Sequence, residues 1–242
     1  MFSTRGIVLD HVRYSETSII VHIYTELFGR QSYMVNGVRK AKSKGKAVFL
    51  QPLALLRLEV SHHERKEVHR IRDFRTEYPF SSLPFDQTKR SIAFFLTEVL
   101  SKVLREEEAN PGLFEFVYGA IEVLDEGIEG LSNFHLFFLV QLSRFLGFSP
   151  ALPSNDQCKF FDLKSGIFKE TEPLHPYYLN ASQSDKWRRL LNLKVEALTS
   201  LKLNSHDRNE LLNSLLDYYA LHIEDFGKIK SLEILHQLFH SD

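Results

Sequence analysis

The chain is poor in cysteine, tryptophan and methionine, with one, one and two of them in 242 residues. A single thiol, Cys158, cannot form a disulfide within the chain, so a disulfide-stapled secreted scaffold is excluded and a cytoplasmic location is expected. Eleven glycines and eight prolines exclude collagen-like and low-complexity classes. Long apolar runs are missing as well. The most apolar stretch, Phe134 to Phe148, is 15 residues long and contains His135, Gln141 and Arg144. A span needs about 20 apolar residues, so no membrane partner is expected. Asp10 and Arg13 interrupt the one early apolar run, Gly6 to Leu9, which argues against a signal peptide. Acidic residues are absent from Leu27 to Leu58, which nevertheless holds Arg30, Arg39, Lys40, Lys42, Lys44, Lys46 and Arg57.

What is present reads as globular. The chain is 43% hydrophobic and 25% charged with net charge −1, which excludes global disorder. That charge conceals an asymmetry. Residues 1–80 carry 14 Lys/Arg against 8 Asp/Glu, and residues 81–242 carry 16 against 23. A basic front and an acidic remainder suggest two domains with different partners, the first suited to a polyanion.

The front reads as β. Gly6–Tyr14, Ser18–Tyr24, Gln31–Val35, Phe49–Val60 and Val68–Phe74 are rich in β-branched and aromatic residues and are separated by turn signals. Five short strands fit a small closed barrel of the oligonucleotide/oligosaccharide-binding (OB) type. The period changes after Pro84. Helices are expected over Thr88–Arg105, Pro111–Gly127, Leu131–Leu146, Ser184–Asn192, Ser205–Phe226 and Ser231–Phe239. The fold class is therefore α+β and multidomain: an OB-type barrel over residues 1–80, then a helical domain over 81–242. The latter contains an irregular insert at about 150–182, in which Lys164-Ser-Gly166 turns a short hairpin. The boundary is expected near Tyr78–Pro84.

Asn36 to Lys46 holds five cations in eleven residues and no anion. A segment this charged does not enter a core. It is either a solvated loop or, beside strands 2 and 3 of an OB barrel, a track for phosphates. Arg39, Lys40, Lys42, Lys44 and Lys46 are the candidate DNA-binding cations. Arg30 joins them, or serves as a turn cation. Tyr33 is a candidate base-stacking ring, with a barrel-core tyrosine the equal alternative. Trp187, among Lys186, Arg188 and Arg189, is a weaker stacking candidate.

At these residues the sequence resembles a family, the bacterial recombination mediator RecO. The resemblance rests on Gly6-Ile-Val-Leu9, Tyr14-Ser-Glu-Thr17, Tyr24-Thr25, Gly29-Arg30, Gly37-Val-Arg39 with its lysine-rich tail, and Gln51-Pro52-Leu53. Leu146-Gly147-Phe148 and Lys230-Ser231 extend it along the chain. It implies an N-terminal barrel and a helical C-terminal domain. It also implies a DNA repair and recombination mediator that binds single- and double-stranded DNA and anneals complementary strands. With RecR such a protein helps load the RecA recombinase onto coated strands, without nucleotide hydrolysis. The acidic tail of single-strand-binding protein is a further implied partner, and association with the nucleoid an implied location.

Two departures from the family pattern matter. Some members carry a four-cysteine zinc element where this chain has Leu152 to Leu179, with only Cys158 and His175. Zinc needs about four closely spaced ligands, so no metal or other cofactor is expected. Phe160, Phe161, Ile167 and Phe168 are expected to form an apolar mini-core instead. The helix starting at Leu131 has Ser132 and Asn133 where cations would serve an acidic tail, which leaves Lys102, Arg105 and Arg144 as protein-binding candidates.

No enzymatic constellation emerges. Gly45-Lys46 lacks the spacing of a phosphate loop, and His63-Glu-Arg-Lys-Glu67 lacks the second histidine of a zinc protease. The three readings are thus a non-enzymatic DNA-annealing mediator, an OB-fold adaptor for RNA or an acidic protein tail, and a metal-dependent hydrolase. The last lacks a ligand set of suitable spacing.

Overall fold

Alternation of buried and exposed side chains organises the front of the chain. The computed structural model describes residues 1–36, 49–63 and 65–239, and it shows five strands there. They are β1 (Phe2–Arg13), β2 (Ile19–Thr25), β3 (Gly29–Val35), β4 (Leu55–Ser61) and β5 (Val68–Tyr78). In β3 every second residue is buried, so Gln31, Tyr33 and Val35 point inward while Arg30, Ser32 and Met34 lie outside. The strands close into a barrel in the order β1-β2-β3-β5-β4. The β3–β5 pair is parallel and the other four are antiparallel. This is the expected OB-type barrel. Its core is Val8, Ile19, Val21, Ile23, Tyr33, Val35, Leu56, Leu58 and Val60. Gly6 has no room for a side chain, because a Cβ would stand 2.7 Å from Ile23 Cγ2 and from Leu58 Cδ1.

The fourth strand starts later than its apolar run suggests. Leu53 adopts φ +63° and is buried, its N–H donating to the Val8 carbonyl at 2.7 Å. Pro52 and this left-handed residue hold 49–54 in turns, so pairing begins at Leu55.

Two helices follow, α1 (Gln87–Val103) and α2 (Pro111–Glu126). Both pack with the barrel in one compact unit made of Met1–Glu126 and Ile229–Ser231, while the second unit holds Gly127–Lys228 and Leu232–Asp242. The change from strand to helix falls near residue 80, whereas the division in packing falls at Glu126/Gly127. The linker before α1 is fastened by Asp125, which is fully buried. Its carboxylate accepts the N–H groups of Ser81, Ser82 and Leu83 at 2.9, 3.0 and 2.7 Å. Glu98 on α1 accepts the N–H groups of Lys230 and Ser231, both at 2.8 Å. Ser231 Oγ also donates to Glu98 at 2.7 Å, which is a structural reason for the serine of that pair.

α1 ends at Val103, two residues before the expected Arg105, and the following segment docks by its backbone on β3. Arg30 N–H donates to the Glu106 carbonyl at 2.9 Å. Gly29 sits at φ +61°, and a Cβ there would lie 2.4 Å from Glu108 O and 2.5 Å from Glu106 O. Gly29→Ala should therefore cost about 2–3 kcal/mol, from left-handed strain of about 1–2 kcal/mol plus displacement of an exposed segment that can give way. A urea-unfolding curve read at the barrel would check it, and an unshifted midpoint would contradict the docking.

The second unit contains α3 (Phe134–Phe145), α4 (Ala181–Leu191), α5 (Ser205–His222) and α6 (Leu232–Phe239). α3 buries Phe134, Leu136, Phe138, Leu139, Val140 and Leu142, in keeping with a helix apolar nearly all round. Burial pushes His135, on the same helix, down to about 3. α5 fastens to the α3 region through Tyr219 Oη to the Leu139 carbonyl and Tyr218 Oη to the Phe148 carbonyl, both at 2.7 Å.

The insert is more regular than its sequence suggests. Three strands, β6 (Phe160–Asp162), β7 (Ile167–Lys169) and β8 (Tyr178–Leu179), pair in the order β7-β6-β8. β8 has two residues, too few for a periodicity. Phe161 and Phe168 are buried and Phe160 half-buried, but Ile167 is 43% exposed, which corrects its expected place in the mini-core. β6 and β7 pair Phe161 with Phe168 and Asp162 with Ile167, so Asp162 lies on the opposite face from the buried Phe161 and Phe168 rings. Phe161 stacks on Trp187 at 4.5 Å.

Candidate nucleic-acid interface

The barrel positions its functional side chains by register. Across the outer face of β1, β2, β3 and β5, Val12 pairs with Ile20, Ile20 with Met34 and Met34 with Arg70. The neighbouring outer row is Asp10, His22, Ser32 and Val68. The β1–β2 turn, residues 14–18, stands at the Val35 end of this face, since Ile19 pairs with Val35. The described residues between β4 and β5, 62–63 and 65–67, lead into Val68 and stand toward the other end of β3. A face of β2 and β3 flanked by these two turns is where OB barrels take oligomers.

The flanking turns carry suitable chemistry. Tyr14 is 61% exposed. Arg13, Arg65, Lys66, Arg70 and Arg72 are exposed. The described ion pairs include none of these cations. Two other barrel arginines are matched to acids, whereas Arg75 on β5 is exposed and in none of the described ion pairs. Arg5 Nη2 binds Glu26 at 2.8 Å and also meets Glu115, and Arg57 pairs with Glu77. The Glu26 and Glu77 carboxylates are held below their usual range by hydrogen bonds from Arg5 and from Arg57, respectively. Arg13, Arg65, Lys66, Arg70 and Arg72 thus lie on or beside this face outside the described ion pairs.

The sequence-derived candidates divide. Arg39, Lys40, Lys42, Lys44 and Lys46 lie outside the described residues. Asn36, just past β3, accepts from Ser18 Oγ of the β1–β2 turn at 3.0 Å. Arg30 is half-buried and its guanidinium is committed, donating to the Ser101 carbonyl at 3.0 Å and the Leu104 carbonyl at 3.3 Å. It closes the C-terminal end of α1, where a cation also meets the negative pole of the helix. Tyr33 is fully buried in the barrel core, so it is not a stacking ring. Burial pushes its hydroxyl well above the ordinary phenol range. Trp187 is likewise buried, its indole N–H donating to Ser214 Oγ at 2.7 Å.

Tyr14 and Arg70 were the omissions. The alternation of β5 already turns Arg70 and Arg72 outward around Ile71, but nothing local distinguishes Tyr14 from a core ring. Of the protein-binding candidates, Lys102 and Arg105 belong to the first unit and Arg144 to the second. Arg144 donates to the Leu191 carbonyl at 3.2 Å and Arg105 to the Lys102 carbonyl at 2.8 Å.

His62, His63 and His69 meet at the β4–β5 turn. His62 stacks on Phe28 at 4.2 Å and lies 4.5 Å from His69, whose pKa is lowered by burial and then by its histidine neighbour. Among the described residues no group of three or more His, Cys, Asp or Glu side chains is arranged to hold a metal ion. In the insert, Asp162 is held far below the usual carboxylate range. Burial alone would raise it, but Lys169 at 2.5 Å and the N–H groups of Ser165 and Lys164 outweigh burial. No described helix is long and apolar enough to cross a membrane.

Comparison with known proteins agrees with the barrel and the helical region. The family described as Recombination protein O N terminal matches residues 1–80, and Recombination protein O C terminal matches residues 84–233. The chain is 39% identical over 236 residues to the DNA repair protein RecO of Phocaeicola vulgatus, covering 98% of each chain. It is 38% identical over 237 residues to that of Bacteroides fragilis, again covering 98% of each. To that of Flavobacterium psychrophilum it is 33% identical over 238 residues, with 98% of each chain covered. A barrel of this topology followed by helices, matched along nearly its whole length, belongs to the RecO family of DNA repair proteins.

Proposed function

We propose that this protein is a non-enzymatic mediator that binds single- and double-stranded DNA and anneals complementary strands. The observation that carries the reading is the outer face of β2 and β3, with Tyr14 and Arg70 exposed at its margins. Residues 1–80 would hold the phosphate backbone, lowering the repulsion between two incoming strands. Residues 81–242 would supply stability and protein contacts. Family membership supports RecR and the tail of single-strand-binding protein as partners, RecA as the recombinase loaded, and a cytoplasmic site of action at the nucleoid. No cofactor is invoked.

Annealing of two complementary labelled oligonucleotides, without ATP or added metal, tests the reading across a salt series. Naked strands and strands coated with single-strand-binding protein should both anneal, less rapidly as salt rises. Absence of annealing by folded protein would favour an adaptor for RNA or protein. Chelator-sensitive turnover of the strands would favour the hydrolase.

Tyr14 gives a finer test. Stacking one base is worth about 1–3 kcal/mol, so Tyr14→Ala should weaken single-strand binding about five- to hundredfold and leave the salt slope unchanged. Fluorescence anisotropy at several salt concentrations separates the two effects. Equal affinity for the variant would remove Tyr14 from the site.

A further inference from the structure

A cleft of about 620 Å³ lies within the second unit, between β8 with the residues before it and α5. Small-molecule sites have volumes of about 300–1,000 Å³. One wall is Pro176, Tyr177, Tyr178 and Leu179. The other carries a row on α5, Asn209, Asn213 and Asp217. Members of this row are four residues apart, so they share a helix face at steps of about 5–6 Å between Cβ atoms.

The polar groups of the cleft divide into committed and free. Glu210 accepts from Lys186 Nζ at 2.7 Å and from Gln183 Nε2 at 3.0 Å. Ser214 accepts the Trp187 indole N–H at 2.7 Å. The side chains of Asn209, Asn213 and Asp217 enter none of the described hydrogen bonds or ion pairs. Asp217 is exposed, yet the cleft walls desolvate its carboxyl and, with no described cation beside it, raise it above the ordinary carboxylate value. Neither lysine nor arginine is among the described residues that line the cleft. Tyr177 already carries the Lys164 ammonium 4.7 Å from its ring centre. The rings therefore supply an apolar wall, and Asp217 supplies the charge.

That charge selects the occupant. A phosphate chain or an acidic peptide would meet a carboxylate here and no row of cations, which argues against both. One carboxylate followed by two amide oxygens matches a chain of amines instead, since ammonium groups donate and do not accept. Steps of about 5–6 Å fit nitrogens separated by three or four methylenes, and the tyrosine and proline wall covers the methylenes.

We propose that this cleft binds a linear aliphatic polyamine, one ammonium meeting Asp217, the next amines meeting the side-chain oxygens of Asn213 and Asn209, and the methylenes lying on Pro176, Tyr177 and Tyr178. The site belongs to the second unit, the strand-binding face to the first, and the proposal does not rest on the annealing reading.

Spermidine is the probe, titrated into the full chain at constant ionic strength and followed by calorimetry. Trp187 fluorescence is a second readout, because its indole bonds to Ser214 of the lining. Saturable binding of one molecule per chain is expected. Asp217→Asn should weaken it about tenfold or more, the worth of a charge-assisted hydrogen bond. Asn213→Ala removes a neutral acceptor and should weaken it about two- to tenfold. Both positions are exposed, so thermal unfolding should stay unchanged. Glu196→Gln, exposed and outside the lining, should bind spermidine as wild type does. Hexylamine, which offers one amine on a similar apolar stem, should bind about tenfold more weakly than spermidine. No saturable binding by the folded wild type, or binding that survives Asp217→Asn, would overturn the proposal. An equal loss in Glu196→Gln would reduce it to diffuse attraction by an acidic surface. Tighter binding of a trilysine peptide than of spermidine would reassign the cleft to a basic protein segment.

Discussion

Replacing Arg39, Lys40, Lys42, Lys44 and Lys46 together by serine should lower the affinity for single-stranded DNA about a thousandfold near 0.1 M salt. The magnitude follows from counterion release. If about four phosphates are neutralised, log affinity falls with log salt at a slope near −3, and that term contributes about three decades at 0.1 M. The variant should therefore lose most of its salt slope as well as its affinity, and annealing should fail with it. Its thermal unfolding should stay within about 2 °C of wild type, since solvated side chains contribute little to stability. Charge reversal at Lys42 or Lys44 should likewise spare folding and impair annealing. Arg30→Ser should behave in the opposite way. Its guanidinium serves the Ser101 and Leu104 carbonyls, so stability should drop and the salt slope persist. Anisotropy titrations at several salt concentrations, paired with thermal melts, give both readings. Unchanged affinity and slope in the five-residue variant would remove the segment from the site.

The contrast between Arg30 and the segment shows how far local pattern reaches. Period-two alternation and turn signals are local properties, and they located all five barrel strands and the change to helix after Pro84. Family resemblance added the order of motifs. What a single motif residue does depends on chain distant in sequence, which no local pattern contains. Arg30 meets carbonyls more than 70 positions away, and Gly29 is required by the backbone of residues 106–108. Tyr33 shows a different failure. The alternation of β3 already puts it on the same side as Val35, and an aromatic ring in a basic neighbourhood was allowed to compete with that parity. Tyr14 lies past the end of β1, where parity no longer applies and exposure emerges only from the fold. Which arginines find an acid is equally a tertiary property, because Arg5 meets Glu26 and Glu115 and Arg57 meets Glu77 only once the barrel and its helices have packed.

Asp125 is the extreme of that dependence, and Asp125→Ala should destabilise the first unit by about 3–5 kcal/mol, the usual cost of removing one member of a buried charged network. Three backbone N–H groups, those of Ser81, Ser82 and Leu83, would lose their acceptor. Lys89, itself buried, would remain bonded to the Asp125 carbonyl and Ser82 Oγ without the carboxylate charge nearby. Asp125→Asn keeps one acceptor oxygen but sets an amide N–H₂ among donors, so about 2–3 kcal/mol is expected. The pH dependence has a definite sign. Burial by itself would raise the Asp125 pKa, but the N–H groups of Ser81, Leu83 and Ser82 hold it below the ordinary carboxylate value. A carboxylate depressed in the folded state stabilises fully above its unfolded value of about 4, and that contribution is lost as pH falls through the lower folded value. Wild type should thus weaken steeply below about pH 4, and Asp125→Ala should show a shallower acid limb. Asp162 is depressed too, but it belongs to the second unit and persists in both proteins. Far-ultraviolet circular dichroism of the whole chain, read beside tryptophan fluorescence, is the suitable readout of urea unfolding, because the lone tryptophan, Trp187, reports on the second unit alone. Coincident urea midpoints for wild type and Asp125→Ala at neutral pH, with parallel acid limbs, would show that the linker is held without this carboxylate.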